Sequence, residues 1–174
     1  ECLAYGHFQV GSIAVRVLSF DDSALKADFW EVMLARALQV RIATGLHNAS
    51  GISTNCYRLV HGEGDNLPGL IIDYYDGVCV LQAHSVGMFR AKKQISDALQ
   101  KVYGSDLKAV YDKSSGTAPF KAGLELIDGY LYQREGFNDD EQVVMENGQK
   151  FMVNWTEGQK TGFFLDQREN RALV

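Results

Sequence analysis

Three dipeptides set most of what this chain can fold into. Asp76-Gly77 separates Leu70-Ile71-Ile72-Asp73-Tyr74-Tyr75 from Val78-Cys79-Val80-Leu81-Gln82. Asp128-Gly129 separates Leu124-Glu125-Leu126-Ile127 from Tyr130-Leu131-Tyr132-Gln133. Asn147-Gly148 separates Val143-Val144-Met145-Glu146 from Gln149-Lys150-Phe151-Met152-Val153. Each pair tolerates positive φ at both central positions, as a type I′ turn requires. Apolar runs joined by such turns predict antiparallel β-hairpins.

Helices are expected at two places. Over residues 29–44, Phe29, Met33 and Ala37 share a broad apolar face with Trp30, Leu34 and Leu38. Asp28 and Glu31 have capping-box spacing, and Gly45 suits the left-handed end. Arg36 and Arg41 fall off the stripe and read as solvated charges. A second helix is expected from about Val86 to Tyr103, with Ser85 as N-cap and Gly104 ending it. Residues 8–20 read as one or two strands, and Leu107 to Tyr111 as another. The fold class is therefore α+β: antiparallel β-hairpins packed on helices, without the alternation of a doubly wound sheet. The acidic stretch 134–142 marks a module boundary.

Composition excludes several functions. A length of 174 residues suits one domain or two small ones. No apolar run could span a bilayer, so no membrane partner is expected. The start lacks a signal peptide, and the expected compartment is cytoplasmic. Cys2, Cys56 and Cys79 are odd in number and far apart, which fits reduced thiols and no zinc site. The four histidines show no ligand or triad spacing. A net charge of -5 argues against a nucleic-acid binder held by bulk electrostatics. Any RNA contact must come from a local patch. The chain opens in strand sequence without an initiator Met and closes in helix-like sequence, so it is expected to continue in both directions.

Two segments could carry chemistry. His61-Gly62-Glu63-Gly64-Asp65-Asn66-Leu67-Pro68-Gly69-Leu70 is glycine-rich but has no phosphate-loop spacing. It reads first as a structural loop, with Pro68-Gly69 central in a type II turn. Glu63 and Asp65 would bond backbone N–H groups or pair with Arg58. Gly158-Gln159-Lys160-Thr161-Gly162-Phe163-Phe164-Leu165-Asp166-Gln167-Arg168-Glu169-Asn170-Arg171 is locally basic. Asp166 and Glu169 have capping-box spacing, so a helix is expected from Gln167. Arg168 and Arg171 would share a face. Spacing alone leaves two readings open: contacts to phosphate and base, or a capped helix with a solvated basic side.

The first block with its flanks, Arg58 to Tyr74, and the second block with Glu146-Asn147-Gly148 before it closely resemble the signature of PUA-domain-containing S-adenosylmethionine-dependent ribosomal RNA (cytosine-C5) large-subunit methyltransferases. The resemblance spans essentially the whole chain. It implies the end of a PUA-like β domain at 1–20, a central α+β hairpin domain at 24–135, and the entry to a Rossmann-like methyltransferase domain at 141–174. It implies S-adenosylmethionine as cofactor and ribosomal RNA as partner. Phe164, Asp166, Gln167 and Arg168 would edge the donor pocket, and Lys160, Phe163, Arg171 and Arg58 would face RNA. The family's glycine-rich donor turn and catalytic cysteine match nothing here, so no catalytic residue is assigned and this stretch alone is expected to be inactive. Two other readings remain: a non-catalytic RNA-binding adaptor, and a homodimer formed through exposed hairpin edges.

Overall fold

A computed structural model describes residues 1–47, 54–119, 123–139 and 142–173. The chain begins with a small antiparallel pair, β1 (Tyr5–Phe8) and β2 (Val15–Ser19). Helix α1 (Phe29–Ala43) follows. A five-stranded sheet then runs in the order β3 (Cys56–His61), β4 (Leu70–Tyr75), β5 (Val78–Ala83), β6 (Ala109–Asp112), β7 (Gly129–Gln133). Helix α2 (Val86–Tyr103) joins β5 to β6. A second hairpin, β8 (Val143–Glu146) and β9 (Gln149–Met152), and a short helix α3 (Arg168–Ala172) complete the chain.

Two of the three turn dipeptides form hairpins. Asp76 and Gly77 have φ of 44° and 93°, and Asn147 and Gly148 have 52° and 82°. These turns join β4 to β5 and β8 to β9. The third does not. Residues 124–127 form no strand; Leu124 and Leu126 instead pack against the helix-side core. The Asp128 carboxylate accepts hydrogen bonds from the backbone N–H and the hydroxyl of Ser115, both at 2.8 Å. A competing side-chain partner thus captured the turn residue, and β7 pairs with β6.

The sheet is also not purely antiparallel, because β5 and β6 run parallel. The 18-residue α2 carries the chain back along the sheet before β6 begins, which is the crossover a parallel pair needs. Ser85 caps α2 as expected, accepting from the Met88 N–H at 3.3 Å. Asp28 makes no side-chain cap to α1, whereas Gly45 takes the left-handed φ expected of it, 75°.

Alternation along the strands gives the sheet two buried faces. One packs Leu59, Ile72 and Leu81 against Leu34 of α1 and Ile95 and Leu99 of α2. Tyr57, Tyr74 and Tyr103 stack within it at 4.9 and 5.0 Å between centroids. The other face presents Cys56, Tyr75, Val78, Val80 and Tyr111 to Val144, Val153 and Trp155 of the C-terminal segment. Removing the α2 cap tests how far the helix depends on it: Ser85→Ala should cost about 1 kcal/mol in urea denaturation, and no loss would contradict the capping role.

Candidate functional site

The first glycine-rich block closes on itself. After β3 the chain makes a 3-10 turn at Gly62–Asp65, and the Leu67 N–H returns to the Gly62 carbonyl at 3.0 Å. The Leu70 N–H to Leu67 carbonyl bond, 3.0 Å, closes the turn around Pro68-Gly69. Asp65 accepts from the His61 N–H at 2.6 Å. It pairs with Arg41 rather than Arg58, and Arg41 also donates to the Arg58 carbonyl at 2.8 Å. Arg41 is therefore a buried tie between α1 and this block, not a solvated helix charge.

Arg58 instead binds Asp73 on the next strand through two hydrogen bonds, at 2.9 and 3.1 Å. Asp73 is fully buried. Its second oxygen also accepts from the Thr161 hydroxyl at 2.5 Å. Thr161 has one proton and gives it to the carboxylate, so the Tyr75 hydroxyl, 2.9 Å away, donates to Thr161. One buried carboxylate on β4 thus grips the second block. Burial pushes the Tyr75 phenol well above its ordinary value, so it stays a donor.

The second block folds tightly around this contact. The Gly158 N–H donates to the Asn154 carbonyl at 3.0 Å. A Cβ on Gly158 would lie 2.1 Å from that oxygen, so only glycine fits. Lys113 donates to the carbonyls of Trp155 and Gly158 from the end of β6. Lys160 is exposed, 4.5 Å from the centroid of Phe164 and 3.8 Å from Asp166. Asp166 does not cap α3: a 3-10 turn at Leu165–Gln167 intervenes, and no side chain caps the helix.

Arg168 and Arg171 do share a face, and that face is turned inward. Both meet Glu146, which is 2% exposed. Arg168 Nε lies 3.2 Å from it, and Arg171 makes bonds of 2.6 and 2.8 Å. Arg168 also donates to the Cys56 carbonyl at 2.7 Å. Arg171 lies 4.2 Å over Phe163, which packs on Phe151 at 5.3 Å. Burial pushes the Glu146 carboxyl upward, but the hydrogen bonds from Arg171 and Arg168 outweigh it and hold it below the usual range.

Curated relatives of this chain are ribosomal RNA large subunit methyltransferases. The chain is 37% identical over 163 residues to ribosomal RNA large subunit methyltransferase I of Pseudoalteromonas atlantica, covering 93% of the chain and 39% of that protein. It therefore spans about two fifths of the length of the relatives it matches. No family model matches. Among solved structures, a protein from Streptococcus mutans described as a SAM-dependent methyltransferase superposes with a TM-score of 0.75 at 22% identity, over 97% of this chain and 41% of that one. A methyltransferase complexed with SAH gives 0.76 at 22% identity, over 97% and 40%. The fold is thus shared with part of the methyltransferase structures.

The structure brings the two blocks together. A cavity of about 490 Å³ lies between them, lined by Arg41, Tyr57, Arg58 and His61 on one side and Leu165, Asp166, Arg168 and Glu169 on the other. Of the residues singled out from the sequence, Phe164, Asp166, Gln167 and Lys160 are exposed. Arg58, Arg168 and Arg171 have guanidiniums engaged by Asp73 and Glu146. Among the described residues no group of His, Cys, Asp or Glu could hold a metal ion, and no helix is long and apolar enough to cross a membrane. Asp73, Thr161 and Glu146 lie in the motif stretches read from the sequence, which gave none of them a role. The available signal was a carboxylate inside the apolar run of β4, since a buried charge must find partners.

Glu146→Gln should destabilise the protein by about 3 kcal/mol at pH 7, because two guanidiniums lose their buried carboxylate. The folded-state pKa of Glu146 is lowered, so this contribution is present above the ordinary glutamate range and fades as pH falls below it. Urea denaturation of both proteins at several pH values checks this. A difference that stays constant or grows on acidification would contradict it.

Proposed function

We propose that this chain is part of an S-adenosylmethionine-dependent methyltransferase that acts on large-subunit ribosomal RNA at cytosine C5. The observation that carries this reading is the 37% identity over 163 residues, 93% of the chain. The SAH bound by a structural neighbour supports S-adenosylmethionine as the cofactor. In this reading residues 1–20 end a PUA-like domain, 24–135 position RNA, and 141–174 lead into the methyl-transfer domain. The free thiols and a ribosomal substrate fit a cytoplasmic protein.

The residues present fit one edge of a donor site. Phe164 is 40% exposed and offers an aromatic face beside the Asp166 carboxylate and the Gln167 amide. Arg168 supports that edge from behind, since its guanidinium holds Glu146 and the Cys56 carbonyl. Bound S-adenosylmethionine would supply the electrophilic methyl group. Lys160 and Phe163 would face RNA, with Arg58 and Arg171 fixing the walls. C5 methylation needs a thiolate nucleophile. Burial holds the Cys56 thiol up at about 12 and pushes Cys79 up as well, so these thiols stay protonated. None of the chain's cysteines is assigned the role.

The test is methyl transfer from labelled S-adenosylmethionine to unmodified 23S ribosomal RNA by the gene product carrying this chain. Label in 5-methylcytosine is the expected result, and the 174-residue chain alone should show no micromolar donor binding in calorimetry. Absence of transfer would refute the reading, and label in guanine would refute its C5 part.

A further inference from the structure

The C-terminal segment covers only half of the sheet's second face. Trp155, Val144 and Val153 sit over Cys56, Tyr75, Val78 and Val80. The other half is open. There His61, Ile71 and Gln82 are successive register partners across β3, β4 and β5 and form one cross-strand row. A groove of about 600 Å³ lies over this floor, lined by Arg58, Ile71, Gln82, His84, Lys113 and Lys160 together with the 115–117 loop.

Lys160 lies 3.8 Å from Asp166, with both side chains more than half exposed. Lys113 donates hydrogen bonds to two carbonyls and is attracted by the nearby Asp128 carboxylate. Arg58 covers Asp73, which is fully buried beneath it. Asp128 also lines the groove and keeps its charge, while each of its oxygens accepts a hydrogen bond from Ser115. The far wall is built in advance. Ser114 is buried, accepts from the Ala83 N–H at 2.9 Å and binds Asp112, and Thr117 donates to the Ala83 carbonyl at 2.9 Å. A rigid rim lowers the ordering cost of binding. Partial desolvation, with the nearby charges of Arg58 and Arg16, holds the exposed His84 below its usual value. It is therefore a neutral flat ring at pH 7, suited to stacking.

We propose that this groove binds the backbone and one base of an unpaired RNA strand, with Lys113 and Lys160 on phosphates and His84 with Ile71 under the base. The proposal rests on the ribosomal RNA reading above and extends it to Lys113 and His84, which lie outside the two motif blocks. In a chain of net charge -5, the groove is lined by three cations and one carboxylate, Asp128. Stacking with phosphate contacts is how single strands are held.

Gly116 provides the test. It is on the groove's rim, its φ is not left-handed, and a Cβ there would meet nothing within 4 Å. Gly116→Glu and Gly116→Lys therefore add opposite charges without removing a contact. The probe is an unpaired oligocytidylate of about ten nucleotides, a length within the range single-strand sites cover, read by fluorescence anisotropy with the 174-residue chain. Gly116→Glu should weaken binding at least ~5-fold and Gly116→Lys should strengthen it. Lys160→Gln should weaken it ~3-fold and lower the salt slope by about 0.7. Equal effects of the two Gly116 variants, tighter binding of duplex RNA, or no binding at all would overturn the proposal. Methyl transfer by the gene product separates the two readings. Transfer with charge-insensitive binding removes the groove and leaves the enzyme, whereas charge-sensitive binding without transfer keeps the groove and removes the enzyme.

Discussion

A carboxylate with no solvent exposure must be fully partnered or it destabilises the fold. Asp73 meets that demand by reaching two ways at once. Arg58 binds it along the sheet, and Thr161 binds it from the segment that covers the sheet. The two chemistry-bearing blocks are 88 residues apart at this contact, yet one side chain fixes their relative position. Tyr75 extends the network, and Lys113 holds the same loop from β6 through its carbonyls. Loop 158–163 is therefore held by hydrogen bonds from two strands, which is how a loop can be as well placed as a secondary-structure element.

Glu146 repeats the device on the other side of the loop. It gathers Arg168 and Arg171 from α3 and, through Arg171, the rings of Phe163 and Phe151. The arginines of the basic block are thus internal ties. The groups left at the surface are Lys160, Phe164, Asp166 and Gln167, with Lys160 over the Phe164 ring and beside Asp166.

Local signals in the sequence located most of the elements. Periodicity placed α1 and α2, and the Ser85 cap and the turns at 76–77 and 147–148 formed as their residue types dictate. Three of the failures share one cause, the arrangement of segments distant in sequence. Asp128-Gly129 has good turn chemistry, but Ser115 binds the aspartate. Arg41 has the pattern of a solvated charge, but Asp65 lies across from it in the fold. The parallel β5–β6 pairing depends on where α2 returns the chain, which no dipeptide encodes. In the site, the blocks were legible as motifs. Their mutual contact was not, because only the sheet register puts Asp73 under Thr161.

The central claim is that Asp73 and Thr161 act as one unit, and a double-mutant cycle measures that directly. Asp73→Asn, Thr161→Val and the double variant would be compared by urea denaturation. A coupling energy of about 1–2 kcal/mol is predicted, within the range for residues sharing one buried network. Additive losses, with coupling below about 0.3 kcal/mol, would show that the two blocks are held together by something else.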